Sequence, residues 1–418
     1  MRGMDQTLRY PIRTATADNV RAFLTPVTVA FGDEFTEAEL EDWRRTIEPD
    51  RVIAAFDGEA SIGAAAAYTF RLTVPGGVVG AAGVTGVGVE PGHRRQGVLR
   101  ALMRHQLDDV RGRGEPVAIL WASEAAIYQR FGYGLGALNG SFEIDRSRTA
   151  WLRPWEPEGR MRLVDAAEAL TTFPPVYEQM RVATPGALNR TEDWWRWGIL
   201  HDAEYMRHGA GPKYRYLYEV DGAAEGYAIY RTKGEWDDRG PKGQLLVVEA
   251  MALTPRAERA VWSFLFGVDL MRSTKAGRMP VPPALLLELA DPRALGMTTS
   301  DGLWVRLVDL PAALAARRYG AAGTLVLQVA DAFCPWNAGR WQLTAVGDAG
   351  SAVITAERTD APAELALDVA DLAAAYLGAF RLSDLARAGR VEELAAGALR
   401  RADVLFASDR TPWCATMF

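Results

Sequence analysis

Residues 84–102 read VTGVGVEPGHRRQGVLRAL, and the order of features in them decides the first third of the chain. Val87 and Val89 alternate with Gly86 and Gly88, the period of a strand, and Val84 lies upstream. Glycine inside a strand marks a bulge or the close approach of another backbone or a ligand. Pro91 ends the strand. Val98, Leu99, Leu102, Met103, Leu107 and Val110 then recur at helical spacing, which predicts a helix starting near Gly97. Arg94 and Arg95 stand directly before that start.

A helix N-terminus presents unpaired N–H groups and a partial positive charge. A glycine there lets an anion approach the backbone, and two arginines add charge-assisted donors for phosphate oxygens. The turn Arg94, Arg95, Gln96, Gly97, Val98, Leu99, Arg100 therefore reads as a pyrophosphate cradle. Val87, Gly88 and Val89 offer strand backbone to an extended, amide-containing arm, as in strand addition. A ligand with a pyrophosphate at one end and a peptide-like arm at the other is coenzyme A. No Gly-Lys-Ser/Thr follows, so this is not a Walker loop, and the glycines do not have dinucleotide-fold spacing. The competing reading is a solvated arginine-rich turn.

Residues 116–134, PVAILWASEAAIYQRFGYG, continue the pattern with a buried strand and a short helix closed by Gly132. Acyl transfer from a thioester to an amine needs a proton for the departing thiolate and a sink for the amine proton. Tyr128 is placed to supply the first, with plain aromatic packing as its alternative; Tyr133 reads as packing. Ser123 and Glu124 follow the strand that flanks the thioester. Glu124 is equally a rival base or a charge at a helix start. His93 lies in the phosphate turn and is not placed as a base.

Val87-Gly88-Val89, Arg94-Arg95-Gln96-Gly97 and IYQRFGYG together resemble the GNAT superfamily of N-acetyltransferases. Gly or Ala usually stands where this chain has Leu99. The wider sequence, including DAFCPWNAGRW and the final aromatic, resembles the enhanced intracellular survival (Eis) family, which shares that departure. The resemblance implies tandem GNAT domains, the first active and the second degenerate, then a sterol-carrier-like α+β domain. It also implies acetyl-coenzyme A as co-substrate, amine acceptors that include aminoglycosides, and a ring-like homo-oligomer, a hexamer. In that family the carboxylate of the terminal Phe enters the active site as the base, a role that falls on Phe418. Anchoring of the tail in a groove is the alternative. The family's acidic residue before that Phe is Met417 here, which removes one negative charge.

A hidden repeat supports the duplication. Asp57-Gly58 matches Asp221-Gly222 and Pro91 matches Pro255 at one offset, 164 positions. The second copy has Glu258 for Arg94, Val261 for Gly97 and Ser263 for Leu99; only Arg95 keeps its type, as Arg259. Glu258 repels a pyrophosphate, so the second domain is expected to bind no coenzyme A.

An amine acceptor arrives as a cation and calls for carboxylates and aromatic walls. Phe31, Asp33, Glu34, Phe35 and Trp43 are the candidates, against a solvated acidic helix and a small core. Trp194, Trp195 and Trp197 read as core or a domain interface. After Leu303 the pattern gives a strand (303–310), a helix (311–319), four strands, and helices at 371–380 and 391–406, an α+β domain with a mostly antiparallel sheet. The expected domains are 1–155, 156–300 and 301–418.

The 418 residues carry a net charge of −6, which argues against nucleic acid. Cys334 and Cys414 have no disulfide or zinc spacing and read as buried thiols; no metal is expected. No signal-peptide core or membrane-length apolar run occurs, so a cytoplasmic protein with a small-molecule amine substrate is expected. Polyamine or protein-lysine acetylation, and a non-catalytic coenzyme A or lipid sensor, remain alternatives.

Overall fold

The computed structural model describes residues 9–32 and 34–418. Its first sheet is built on a long hairpin, β3 (Ala60–Val74) and β4 (Gly77–Val89). β2 (Val52–Asp57) and β1 (Ile12–Thr14) extend it on one side, and β5 (Val117–Trp121) pairs in parallel on the other. The alanine run of β3 lets helices approach both faces. Ala64 and Ala66 pack under α1 (Val20–Phe31) and beside Trp43 of α2 (Glu37–Arg44). Ile62 and Ala65 pack under Val98 and Leu102 of α3 (Val98–Gly112). The helix expected near Gly97 begins there, with Gly97 as its N-cap. After β5 come α4 (Ala125–Tyr128), a 3₁₀ turn closed by Gly132 at φ 82°, and the short β6 (Gly134–Leu135).

The second sheet repeats the first. β8 (Arg160–Leu163), β9 (Tyr214–Val220) and β10 (Ala223–Lys233) correspond to β1–β3. The matched Asp-Gly pairs form the turns from β2 to β3 and from β9 to β10, with Gly58, Asp221 and Gly222 all at positive φ. A small hairpin, β11 (Trp236–Asp237) and β12 (Gly240–Pro241), precedes β13 (Gly243–Ala252), which pairs in parallel with β14 (Met271–Met279). α5 (Ala166–Val182), α6 (Pro255–Gly267) and α7 (Leu285–Glu288) complete this half.

The sixth strand of each sheet comes from the other repeat's stretch of sequence. The first sheet runs β1-β2-β3-β4-β5-β16-β6, where β16 is Leu303–Leu307. The second runs β8-β9-β10-β13-β14-β7-β15, where β7 is Leu138–Asp145 and β15 is Thr298–Asp301. Leu138–Asp145, ahead of the expected boundary at 155, thus joins the second sheet. The strand expected to open the third domain at Leu303 joins the first. Two compact units result: one holds residues up to Gly136, Trp304–Ser408 and Phe418, the other Ala137–Leu303 and Asp409–Met417.

The remaining sheet runs β19-β18-β17-β20-β21, from β17 (Gly323–Ala330), β18 (Gly339–Val346), β19 (Val353–Arg358), β20 (Leu365–Asp368) and β21 (Val391–Glu393). It is antiparallel except for β17 with β20. α8 (Leu310–Ala315), α9 (Val369–Tyr376), α10 (Leu382–Arg387) and α11 (Ala398–Leu405) accompany it. The single helix expected over 391–406 is corrected. Val391–Glu393 pairs with β20 as a strand, and the helix starts only after Gly397 at φ 81°. No helix among the described residues is long and apolar enough to cross a membrane.

Because β16 lies between β5 and β6, residues 1–136 alone lack an interior strand of their own sheet. That segment produced by itself is expected to show no cooperative thermal transition by circular dichroism. Co-production with residues 137–418 is expected to restore one.

Candidate functional site

Parallel pairing between β4 and β5 runs from Ala81 with Val117 to Val84 with Leu120 and stops there. β4 continues to Val89, with a register shift opposite Ala64–Ala66 and Gly86 at φ 54°. The Glu90 N–H donates to the Ile62 carbonyl, which makes Gly63 and Val89 a non-hydrogen-bonded pair. The N–H of Val89 therefore points away from β3, toward the edge that β5 has left. Gly88 has a packing role not foreseen in the sequence: a Cβ there would lie 2.8 Å from Cα of Val27. Its lack of a side chain lets α1 cross β4.

The turn after β4 is held from below. His93 bonds Glu90 Oε2 through Nδ1 at 2.7 Å and lies 3.4 Å from Asp57 through Nε2, so both ring nitrogens face carboxylates. The Gln96 carbonyl oxygen accepts from the Tyr10 hydroxyl at 2.8 Å, and its amide donates to the Gly92 carbonyl. That side chain is scaffold, and the Val98 side chain is buried core. Arg100 is stacked over Phe333 rather than aimed at the turn, with Arg104 over the same ring at 4.1 Å. Arg94 and Arg95 are exposed; Arg94 donates to the Ala30 carbonyl, and Arg95 has φ 63°. No side chain caps α3. Gly97 sits at φ 87° with nothing within 4 Å of where a Cβ would stand. The first N–H groups of α3, the two arginines and the Gly97 gap thus form an open anion site.

Tyr128 packs among Val84, Leu120, Val87 and Leu99, where the two strands part. Burial first, and then the nearby Glu124 carboxylate, push its hydroxyl up to about 12. It keeps its proton through the neutral range: a donor, not a base. Tyr133 meets it edge-on at 5.9 Å and is fully buried, as its packing role requires. Ser123 and Glu124 are exposed, with Glu124 at the start of α4 but making no cap hydrogen bond. The C-cap at Gly132 lets the fully buried Arg306, paired with Asp331 at 2.7 Å, lie against the end of this turn. Phe333 meets Phe131 edge-to-face at 4.9 Å and ties it further.

The Phe418 ring lies 5.1 Å from Phe70 and covers Gly83. Gly83 and Val84 are successive residues of β4, so their side-chain directions are opposite. Tyr128 on one face and Phe418 on the other therefore bracket the point where pairing ends. On the Phe418 face, the Trp43 ring edge is 3.8 Å from the Gly86 site and stacks with Phe35 at 6.3 Å. Trp43 also hydrogen-bonds Tyr68, whose hydroxyl burial raises in pKa, and Tyr68 adjoins Phe70 at 5.8 Å. Tyr68 and Phe70 were missed in the sequence; their signal is the period-two alternation along β3. Phe31 and Glu34 are exposed at the end of α1 and just beyond it. Asp33 lies outside the described residues. Trp194 and Trp195 are buried, and Trp195 joins the core of the second unit.

The second copy lacks these openings. α6 starts at Pro255, the match of Pro91, and runs through the positions equivalent to Arg94–Gly97. Its N-terminus is capped by Thr254 Oγ1, which accepts from the Ala257 N–H. Where β13 loses β14, the Arg278 guanidinium donates to the Val248 carbonyl and fills the gap.

Acetyltransferase (GNAT) domains match residues 11–136 and 186–307, and a sterol carrier protein domain matches residues 310–415. Fold and site together define a GNAT N-acetyltransferase, a class whose donor is an acyl-coenzyme A. An uncharacterized N-acetyltransferase of Streptomyces avermitilis is 43% identical over 406 residues, 96% of this chain and 98% of that protein. N-acetyltransferase Eis of Mycobacterium tuberculosis is 35% identical over 409 residues, 94% of this chain and 96% of that one. The crystal structure of Eis1 from Mycobacterium abscessus superposes with a TM-score of 0.82 at 34% identity, covering 98% of this chain and all of that one. The chain belongs to the Eis family.

Substituting Gly88→Ala is expected to lower the unfolding free energy by about 1–3 kcal/mol, the range for overpacking against backbone that cannot yield. Urea titration checks this. Gly97→Ala meets open space but keeps φ 87°, where an L side chain is strained, so it is expected to lose about 1–2 kcal/mol through the backbone alone in the same titration.

Proposed function

We propose that the protein transfers the acetyl group of acetyl-coenzyme A to amines of small molecules, aminoglycosides among them. The observation that carries this reading is the contrast between the repeats. The helix start that is uncapped in the first is capped by Thr254 in the second, where Arg278 also takes the Val248 carbonyl at the strand edge. Arg94, Arg95 and the N–H groups at the start of α3 hold the pyrophosphate, and the open edge of β4 holds the pantetheine arm. These residues fit coenzyme A in charge and in backbone availability. Bound there, the co-substrate supplies an activated thioester.

The acceptor nitrogen attacks the carbonyl carbon, a C–N bond forms, and the C–S bond breaks. The Val89 N–H donates to the carbonyl oxygen as charge develops on it. Tyr128 gives its proton to the departing sulfur. The Phe418 carboxylate takes the proton lost by the amine. A terminal carboxyl has a reference pKa of roughly 3.5, so it works as a base through desolvation or an intervening water. Trp43, Phe35 and Tyr68 form the aromatic side of the acceptor cavity, with Glu34 as its acidic neighbour. Met417 in place of an acidic residue shifts preference toward less cationic amines. The working form is a cytoplasmic homo-oligomer, a hexamer by family resemblance.

Thiol release from acetyl-coenzyme A with kanamycin A, spermidine and a lysine peptide tests the assignment. Tyr128→Phe and a chain lacking Phe418 are each expected to lose about 10²–10⁴-fold in kcat, the usual range for one acid or base. Turnover only with spermidine or the peptide keeps the mechanism and removes the antibiotic substrates. Binding of acetyl-coenzyme A without turnover of any amine replaces catalysis with sensing.

The pH profile is a second check. With Tyr128 titrating near 12, kcat is expected to rise with pH and not fall before about pH 10. Glu124→Gln removes a like charge and is expected to move the alkaline limb downward.

A further inference from the structure

The second acetyltransferase domain has kept the splayed pair of parallel strands but not the cradle. β13 and β14 pair from Gly243 with Met271 to Val247 with Ala276, and then both run on. By the offset of 164, Ala250, Met251 and Ala252 occupy the places of Gly86, Val87 and Gly88. A cleft of about 220 Å³ remains there, and its wall includes Met251, Val261, Met279, Arg410, Thr411 and Trp413. The last three belong to the C-terminal tail.

The tail is bound in detail. The Trp413 indole N–H donates to the Arg278 carbonyl at 2.7 Å, so the residue that fills the strand gap also receives the tail. The Trp413 backbone N–H donates to the Pro185 carbonyl at 2.8 Å, beside Gly186, where a Cβ would lie 3.1 Å from the Trp413 backbone. Thr416 is 1% exposed. Its hydroxyl accepts from Arg190 Nε at 3.0 Å and lies 3.1 Å from the Tyr177 hydroxyl. The Tyr177 proton is already given to the Leu188 carbonyl at 2.7 Å, so Thr416 is the donor in that pair. Arg190 is in turn fixed by a two-pronged, buried ion pair with Glu249, at 2.9 and 2.6 Å. Tyr227 donates to the same carboxylate at 2.6 Å. Glu249 stands at the position of Thr85, on the vestigial counterpart of β4.

We propose that the degenerate domain serves as the anchor of the C-terminal tail, with Arg190, Glu249 and Thr416 as positioning residues for the Phe418 carboxylate two residues on. The proposal rests on the reading of that carboxylate as the base. A terminal carboxylate is otherwise the least restrained group of a chain. Locking Thr416 and Trp413 leaves only Met417 between the anchored segment and Phe418. Duplication followed by loss of the cradle thus freed a strand cleft to hold a peptide segment in place of a pantetheine arm.

Thr416→Val, Thr416→Ser and Arg190→Met in the full chain test this, each with and without Phe418. The acceptor is kanamycin A, or spermidine if kanamycin A is not turned over. Thr416→Val and Arg190→Met are expected to lower kcat at pH 7 by tenfold or more, with the affinity for acetyl-coenzyme A changed less than twofold. The loss is expected to shrink at pH 9.5, where more of the amine is already deprotonated. Thr416→Ser is expected to retain activity. In chains lacking Phe418, the same substitutions are expected to add no further loss.

A readout independent of turnover is Cys414, now 2% exposed. Its alkylation by iodoacetamide, followed by mass spectrometry, is expected to accelerate at least tenfold in Thr416→Val. Unchanged kcat with Cys414 exposed, or a loss that multiplies with that of deleting Phe418, overturns the proposal. So does continued protection of Cys414 in both Thr416→Val and Arg190→Met. Full activity of the chain lacking Phe418 overturns the base reading instead, while the alkylation rates still report whether the tail is anchored.

Discussion

Everything in the first unit turns on the end of one ladder, where β4 and β5 part after Val84 and Leu120. A parallel pair that separates leaves backbone donors and acceptors without strand partners. Such groups are costly to bury and are satisfied by water, side chains or a ligand. The surrounding sequence answers to that vacancy. Gly86 provides the kink and Gly88 the room for α1. The turn stiffened by His93 and Gln96 fixes where α3 begins. Tyr128 and Phe418 then reach the same point from opposite faces of one strand.

The second unit shows what happens when the same ladder end is not kept open. An arginine from β14 fills the gap, a helix runs through the former loop, and a threonine caps its start. Its core holds a buried arginine and glutamate. Burial alone would push the Glu249 carboxyl up; the Arg190 guanidinium and the Tyr227 hydroxyl hold it below the usual carboxylate range instead. An ion pair so deeply desolvated adds little net stability over apolar residues of the same volume. Its value lies in fixed geometry, and the geometry it fixes is that of Thr416.

Much of this was legible in the sequence, because the signals are local. The alternation before Pro91, the helix repeat after Gly97, Gly132 as a helix stop and the offset of 164 each concern residues close together or matched one to one. Four features were not legible. Gly88 as a crossing point requires knowing that Val27 lies above it. The Gln96 side chain looks like a phosphate ligand until Tyr10 is placed beside it. The strand identity of Val391–Glu393 depends wholly on pairing with β20, since three residues carry no period. The exchange of β7 and β16 is illegible in principle: both are short strands of ordinary pattern, and pattern states which face is buried but not in which sheet.

That exchange also constrains how the protein is made. Domains of a growing chain usually fold in order, the N-terminal one first. Here the first sheet waits for a strand at Leu303–Leu307. At about 5–20 residues per second, the ribosome needs on the order of ten to forty seconds to reach it after β5 has been made. During that interval β5 presents an unpaired edge, the kind of surface that recruits strands from other chains. The enzyme's most exposed moment is thus in its synthesis, when the turn before Gly97 has been made but the sheet that should hold it still lacks an interior strand.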